Sequence, residues 1–166
     1  MKITDYLAIY AACLSSIVFL WNVRRATSRV RIELVFGLEE VEGESIGGIY
    51  VIVRNPSAQT VHLASVSPLI PSESGPPSIL EKIQHIVKYR RWPVSLGWVH
   101  TSFSYFDIDD GCPLSLEAGR SHQIFVPEEK IKEILKKSER KELRAVVQDE
   151  LWRDKYSKTF FAGSFG

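Results

Sequence analysis

The stretch that decides the fold is residues 29–36, RVRIELVF. The side chains of one predicted face are Val30, Ile32, Leu34 and Phe36, and they alternate with Arg29, Arg31, Glu33 and Val35. This two-residue period is that of a strand with one buried face. Further short segments of the same kind follow toward the C-terminus, whereas the residues on the N-terminal side are almost continuously apolar. We therefore expect an apolar N-terminal segment followed by a β-rich domain.

Composition and charge exclude several classes of protein. The 166 residues are 45% hydrophobic and 25% charged, which excludes a disordered, collagenous or low-complexity chain. A formal net charge of +1 gives no global reason to expect nucleic acid, for which a strongly basic domain is typical. The two cysteines, Cys13 and Cys112, do not make a disulfide framework.

Residues 6–23, YLAIYAACLSSIVFLWNV, carry no formal charge. A helix of this length is ~27 Å long, close to the ~30 Å hydrocarbon core of a bilayer. Tyr6 and Trp21 lie near its two ends, where amphipathic rings favour the headgroup layer. These features predict an uncleaved transmembrane anchor within residues 1–28.

Two alternatives to the anchor are a secretory signal peptide and a buried helix of a soluble domain. A signal peptide ends in small residues at a cleavage site, but this apolar run ends in Trp21, Asn22 and Val23. A helix buried in a soluble domain normally carries a polar stripe, whereas this one is apolar all round.

A basic flank follows the predicted span and sets its orientation. Four arginines lie within eight residues: Arg24, Arg25, Arg29 and Arg31. Upstream of the span there are only Lys2 and the α-amino group. Because excess Lys and Arg stay on the cytoplasmic side, we expect the N-terminus outside and the domain in the cytoplasm, at the cell inner membrane.

The rest of the chain predicts about seven short strands, which indicates an antiparallel immunoglobulin-like β-sandwich over residues 29–161. After the first strand, the strand patterns cover residues 49–53, 61–66, 95–106, 122–126, 143–147 and 156–160. The acidic stretch 39–44, closed by Gly47 and Gly48, predicts a solvated loop. Pro68 and Pro71 are expected to end the third strand, residues 153–155 to form a turn, and residues 162–166 to form a flexible tail.

Three phrases of the chain carry a family resemblance: RVRIELVFG (29–37), VRNPSAQTVHLASV (53–66) and PLSLEAGRSHQIFVP (113–127). Together with the N-terminal span and its arginine flank, they resemble a loose group of small bacterial and prophage-type single-pass membrane proteins. The resemblance implies an immunoglobulin-like or fibronectin-like sandwich, and it implies no activity and no catalytic residue.

Two short helices are predicted within the β-rich part, over residues 79–92 and 127–138. The first has Ser78 as its N-cap and an apolar face beside basic residues, and aromatic residues follow at its end. Its apolar side chains are Ile79, Leu80, Ile83, Ile86 and Val87. Such a helix is typical of binding to an anionic lipid surface, and the alternative is that it covers an open edge of the sandwich. The candidate lipid contacts are Lys82, Lys88, Tyr89, Arg90, Arg91 and Trp92, and the membrane flank is Trp21, Arg24 and Arg25.

No motif for catalysis, metal or cofactor emerges from the sequence. Asp107, Asp109 and Asp110 before Gly111 superficially resemble the start of a calcium loop, but the remaining ligands are missing and a hairpin turn explains them. The four histidines have no zinc-site spacing, and there is neither a Gly-x-Ser-x-Gly turn nor a phosphate-binding loop. The basic stretch 130–144 is interpreted as a solvated helix face rather than a nucleic-acid site.

We therefore predict a non-enzymatic interaction or accessory protein, held at the lipid bilayer and binding a protein partner, without a cofactor. The alternative is a membrane-tethered hydrolase or metal-dependent enzyme with a site gathered from several strands. Asp107, Asp109 and His100 are its first candidates. Self-association through the span is compatible with either function.

Overall fold

The computed structural model describes residues 3–26, 29–41, 43–72, 75, 77–90, 92–136, 138 and 140–163, without the side chains of residues 24–26 and 41. The helices are α1 (Ile3–Ala26), α2 (Ile79–Tyr89) and α3 (Glu128–Leu135), with a 3₁₀ turn at Phe103–Phe106. The strands are β1 (Arg31–Val41), β2 (Glu44–Arg54), β3 (Val61–Pro71), β4 (Trp98–His100), β5 (Leu114–Leu116), β6 (Ser121–Pro127), β7 (Glu142–Asp149), β8 (Asp154–Tyr156) and β9 (Phe160–Phe161). The predicted mainly β class is confirmed, with nine strands rather than seven in these residues.

The strands form two antiparallel sheets. One has the order β1-β2-β6, and the other has the order β4-β3-β7-β8, with β5 paired to β3 and β9 paired to β7. Both sheets contribute to a single core of apolar side chains, which includes Val51 of β2, Leu63 of β3 and Val147 of β7. The core also takes in Phe103 of the 3₁₀ turn and Ile131 of α3.

The alternation predicted for the first strand is confirmed for Val30, Ile32 and Leu34, whereas Phe36 is 53% exposed and does not continue the buried face. The predicted loop over residues 39–48 is wrong. β1 and β2 pair without interruption from Arg31↔Arg54 to Val41↔Glu44. Gly48 does not break the ladder, because the Phe125 ring lies over its Cα where a side chain would stand. Gly43, between the strands, has φ +86°, a value that glycine adopts readily.

The prediction that prolines end the third strand is right for Pro71, the last residue of β3, and wrong for Pro68, through which the strand continues. The Pro68 carbonyl accepts hydrogen bonds from the N–H and the hydroxyl of Thr101, at 3.1 and 3.2 Å. Its backbone therefore points away from Ala145, its partner in β7. Because a strand residue directs N–H and C=O to the same side, the missing proline N–H removes no bond from the β3–β7 ladder.

The predicted strand over residues 95–106 is a strand only at β4, Trp98–His100, and its last four residues form a 3₁₀ turn. The Ser102 hydroxyl accepts the N–H of Ser104 at 3.2 Å and begins that turn. The turn places Phe103 and Phe106 in the core, whereas alternation would have put Phe103 and Tyr105 on one face.

The C-terminal predictions need three corrections. The chain turns at residues 150 and 151, not at 153–155, and the predicted strand 156–160 is divided into β8 and β9. Ala162, predicted to start a flexible tail, is buried, and its N–H donates to the Lys141 carbonyl at 2.8 Å. Residues 164–166 of that tail lie outside the described residues.

α1 is long and apolar enough to cross a membrane over Ile3–Val23. Every side chain in that range is exposed, so the alternative of a helix buried in the domain is wrong. The hydroxyls of Ser15 and Ser16 donate to the carbonyls of Ala11 and Ala12, at 2.7 and 2.8 Å. These bonds satisfy the two polar groups within the helix itself.

Candidate membrane-contact surface

α2 is a helix defined by its own sequence. Ser78 caps its N-terminus as predicted, and Glu81 completes a capping box. At the other end, Arg90 adopts φ 50° and donates its N–H to the Ile86 carbonyl at 2.8 Å, which ends the helix before residue 92. The predicted helix over 79–92 is therefore confirmed in type, and it ends at Tyr89.

The apolar face of α2 is turned away from the sheets. None of its residues is buried, and the exposed fractions of Ile79, Leu80, Ile83 and Val87 are 77, 65, 51 and 75%. Only His85 and Ile86, on one flank, are half-buried. The alternative that this apolar face covers an edge of the sheets is therefore wrong.

Basic and aromatic side chains border the exposed apolar face. Lys88 Nζ lies 5.2 Å from the centroid of the Tyr89 ring, a cation–π arrangement. Trp92, just beyond the helix, is 77% exposed. Arg90 is exposed as well, while Arg91 lies outside the described residues.

Lys82 and Trp92 line a shallow depression of about 430 Å³ beside α2. Arg140, Arg144 and Trp98 complete its basic and aromatic wall, and Glu142 is its acidic residue. The Arg144 guanidinium carbon lies 4.3 Å from the centroid of the Trp98 ring, and Arg144 Nε donates to Thr159 Oγ1 at 2.7 Å. A fixed guanidinium of this kind binds anions well, because little side-chain freedom remains to be lost.

Arg140 and Arg144 were missed as site residues by sequence reasoning. They lie some fifty residues beyond α2, inside a charged stretch with the pattern of a solvated surface. A strand register was needed to place Arg144 beside Trp98, since β4 and β7 both pair with β3.

The flank of α1 is described only in part. Trp21 is exposed at the C-terminal part of the apolar range, where the sequence predicts a headgroup contact. Arg24 and Arg25 belong to α1, and their side chains lie outside the described residues.

The acidic side chains that resemble the start of a calcium loop bind backbone N–H groups and a lysine. They are Asp107, Asp109 and Asp110. Asp109 Oδ1 accepts the N–H of Gly111 at 2.8 Å, and Asp110 accepts the N–H groups of Val66 and Cys112, both at 3.1 Å. The Asp107 carboxylate lies 3.5 Å from Lys130 Nζ. Across the described part of the chain, no three His, Cys, Asp or Glu side chains group as metal ligands do.

Two residues named for the enzyme alternative, His100 and Asp107, belong to different elements. His100 is exposed in β4 opposite Leu69, whereas Asp107 follows the 3₁₀ turn with φ 56°. Nearby, burial raises the pKa of the Cys112 thiol to about 11, and the charges of Asp110 and Asp109 add to the effect. A thiol with this pKa is protonated at neutral pH and is a poor nucleophile.

Comparison of the chain with protein-family models, with curated proteins and with solved structures finds no match.

Proposed function

We propose that this protein is a membrane-anchored, non-enzymatic interaction protein whose domain is held against the lipid surface at two points. α1 crosses the bilayer, and α2 lies in the headgroup layer of the same membrane. The observation that carries the proposal is the exposed apolar face of α2 beside Lys82, Lys88 and Arg90. An amphipathic helix with this arrangement gains free energy when its apolar face enters the headgroup boundary of anionic lipid.

Because α1 anchors the chain in the membrane, even a weak affinity of α2 for lipid is sufficient to hold α2 at the membrane surface. Once one part of a chain is fixed in a membrane, the local concentration of lipid around the rest is high, so binding of the second part is effectively intramolecular. The basic depression beside α2, with Arg140 and Arg144, adds attraction for the phosphates of the same surface.

The orientation proposed is N-terminus outside, with the domain on the cytoplasmic side of the inner membrane. Its support is the arginine flank after the span, from Arg24 to Arg31. A reporter fused after Gly166 is expected to be active only as a cytoplasmic reporter. Glycosylation or export of that reporter would contradict the orientation.

A direct test of α2 uses the full chain in lipid nanodiscs, with hydrogen exchange of the α2 amides as the measurement. In nanodiscs containing phosphatidylglycerol we expect the amides of residues 80–87 to exchange more slowly than in phosphatidylcholine. The double variant Ile83→Asp/Val87→Asp is expected to lose that difference, because two carboxylates then face the lipid.

The matched control is Leu151→Asp, which changes an exposed apolar residue in the turn between β7 and β8 and should keep the lipid effect. Equal exchange of the α2 amides in both lipids and in neutral detergent would overturn the proposed second contact.

For the fold we further propose an immunoglobulin-like sandwich. In that architecture strands A, B and E are neighbours in one sheet, and strands C, F and G are neighbours in the other. The orders β1-β2-β6 and β3-β7-β8 correspond to these two series, with β4 added next to β3. An experimental structure with a different strand order would contradict the assignment.

A further inference from the structure

A second surface, separate from α2, lies where the edges of the two sheets meet. Residues 30–35 form one wall of a groove of about 640 Å³, and residues 155, 156 and 158–160 form the other. β1 is the last strand of its sheet, and β8 is the last strand of the other. The groove therefore follows Val30 and the first five residues of the edge strand β1, and those five strand residues span ~17 Å.

The second wall of the groove is not a continuous strand, because β8 ends at Tyr156 and β9 begins at Phe160. This interruption keeps the groove open. Between β8 and β9, Ser157 bonds Ala145 of β7 twice: its N–H donates to the Ala145 carbonyl and its hydroxyl accepts the Ala145 N–H, both at 2.9 Å. The Thr159 hydroxyl oxygen accepts a hydrogen bond from Arg144 Nε. The backbone of this segment is thus held to its own sheet, and among the described residues no backbone hydrogen bond joins it to β1.

The near wall is a strand edge. In the described residues β2 is the strand that pairs with β1, and a strand bonded on one side directs alternate N–H and C=O groups to the other. Such an edge is a template for another extended segment, whose main chain satisfies those groups.

The side chains of the groove define what such a segment must carry. Its floor is apolar, formed by Val30, Ile32, Leu34 and Phe160. Its rim has three basic residues, Arg31, Lys155 and Lys158, and one acidic residue, Glu33. Glu33 lies 3.8 Å from Arg54, whereas the three basic rim residues have no salt bridge to any described residue.

We propose that this groove binds an extended peptide segment of a partner protein by strand addition to β1. Alternate side chains of the segment are apolar and face the floor, and the intervening ones are acidic and face Arg31, Lys155 and Lys158. The segment adds a fourth strand to the β1-β2-β6 sheet and covers Tyr156 and Phe160 of the other sheet. This inference does not depend on the lipid contact of α2.

The test uses the full chain in a neutral detergent with three acetylated and amidated peptides: EVTVEVE, its basic counterpart KVTVKVK, and the proline-containing EVTPEVE. We expect EVTVEVE to bind best, with at least about a tenfold loss for each of the others. The basic peptide repels the rim, and proline removes a main-chain donor needed for strand pairing. Bound EVTVEVE should slow the exchange of amides within residues 30–35.

The decisive variant is Lys155→Glu/Lys158→Glu, which is expected to weaken EVTVEVE at least about tenfold and to improve binding of KVTVKVK. The matched control, Lys132→Glu/Lys136→Glu in α3 and at its C-cap, makes the same change in net charge and should leave both affinities unchanged. Circular dichroism of the wild type and the two double variants verifies that each is folded.

Several results would overturn the proposal. These are equal binding of EVTVEVE and EVTPEVE, equal effects of the groove and α3 variants, or no binding up to about 1 mM, the weak end of specific association. Self-association of the wild type that disappears in the groove variant would assign the groove to a second copy of this chain instead.

Discussion

Ser78 and Glu81 cap each other at the start of α2. The Ser78 N–H donates to Glu81 Oε2 at 2.7 Å, and the Glu81 N–H donates to Ser78 Oγ at 3.2 Å. Since α2 contains no buried residue, these bonds and the Arg90 cap stabilise it where core packing does not. An exposed helix that is capped in this way remains ordered, and its apolar face stays free to contact a lipid surface.

The first prediction concerns this cap. Ser78→Ala is expected to weaken α2 by about 1 kcal/mol, since an N-cap hydroxyl contributes about that much. Amide exchange over residues 80–87 should rise about fivefold, the factor that corresponds to this free energy. The unfolding temperature of the domain should stay unchanged, because no residue of α2 belongs to the buried core.

Ser78→Asp is the control for the cap, because aspartate accepts the same hydrogen bond and should restore slow exchange. A clear fall in the unfolding temperature of Ser78→Ala would show that α2 contributes to the core after all.

The second prediction separates two adjacent glycines of β2. A Cβ at Gly48 would meet the carbonyl oxygen of Val126 and the ring of Phe125, so Gly48→Ala must displace backbone. We expect it to lower the free energy of unfolding by about 2 kcal/mol, as overpacking does. Urea unfolding of the full chain in detergent gives the value.

Gly47→Ala provides the comparison for this pair. The nearest atom to its Cβ would be Glu128 Oε2 at 3.6 Å, an ordinary contact. This variant should be neutral or stabilised by up to about 1 kcal/mol through the smaller entropy of the unfolded chain. Equal destabilisation by both substitutions would contradict the close approach of Phe125.

The third prediction concerns the pH dependence of Cys112. Burial, with Asp110 and Asp109 adding to it, raises the pKa of this thiol from 9.0 to about 11. Because the folded pKa is the higher one, its contribution to stability is complete below pH 9.0 and is lost as the pH rises toward 11.

Alkylation by iodoacetamide in a Cys13→Ser background measures this directly. The rate should stay low at neutral pH and rise with a midpoint near 11, whereas the urea-unfolded chain should show a midpoint near 9.0. Coincident profiles for the folded and unfolded chains would contradict the shift.

The fourth prediction concerns Asn55, which is buried where β2 ends. Its Nδ2 donates to the carbonyls of Gln59, Leu116 and Glu117, and its Oδ1 accepts the N–H of Ser57 at 3.1 Å and the Ser57 hydroxyl. Asn55→Ala leaves these groups unsatisfied and should reduce the free energy of unfolding by about 3 kcal/mol.

Ser57→Ala is the smaller change at the same place, since it removes one hydroxyl and leaves the Nδ2 bonds of Asn55 intact. It should reduce the free energy of unfolding by about 1 kcal/mol. Through these hydrogen bonds Asn55 connects residues 55–59 with residues 116–117. Unfolding of both variants at the same urea concentration as the wild type would contradict this role.

Local patterns predicted the features that depend on neighbours along the chain. Ser78 was identified as a cap because a hydroxyl precedes an apolar helical repeat by one residue. Ile131, Ile134 and Leu135 recur at helical spacing within the predicted helix 127–138, and all three are buried in α3. In contrast, Gly47 and Gly48 predicted a loop. The aromatic rings that cover such glycines come from other parts of the chain, so the neighbouring residues give no sign of them.

The sequence by itself determined the apolar helix, the alternation of β1, the mainly β class and the two-faced character of α2. Each of these follows from side chains a few residues apart, whose period decides which face meets water. Only the tertiary structure decided that the apolar face of α2 points away from the sheets, that Arg144 lies beside Trp98, and that β1 and β8 leave a groove between them. Those relations join residues far apart in the chain, and strand pairing and core packing fix them together rather than one segment at a time.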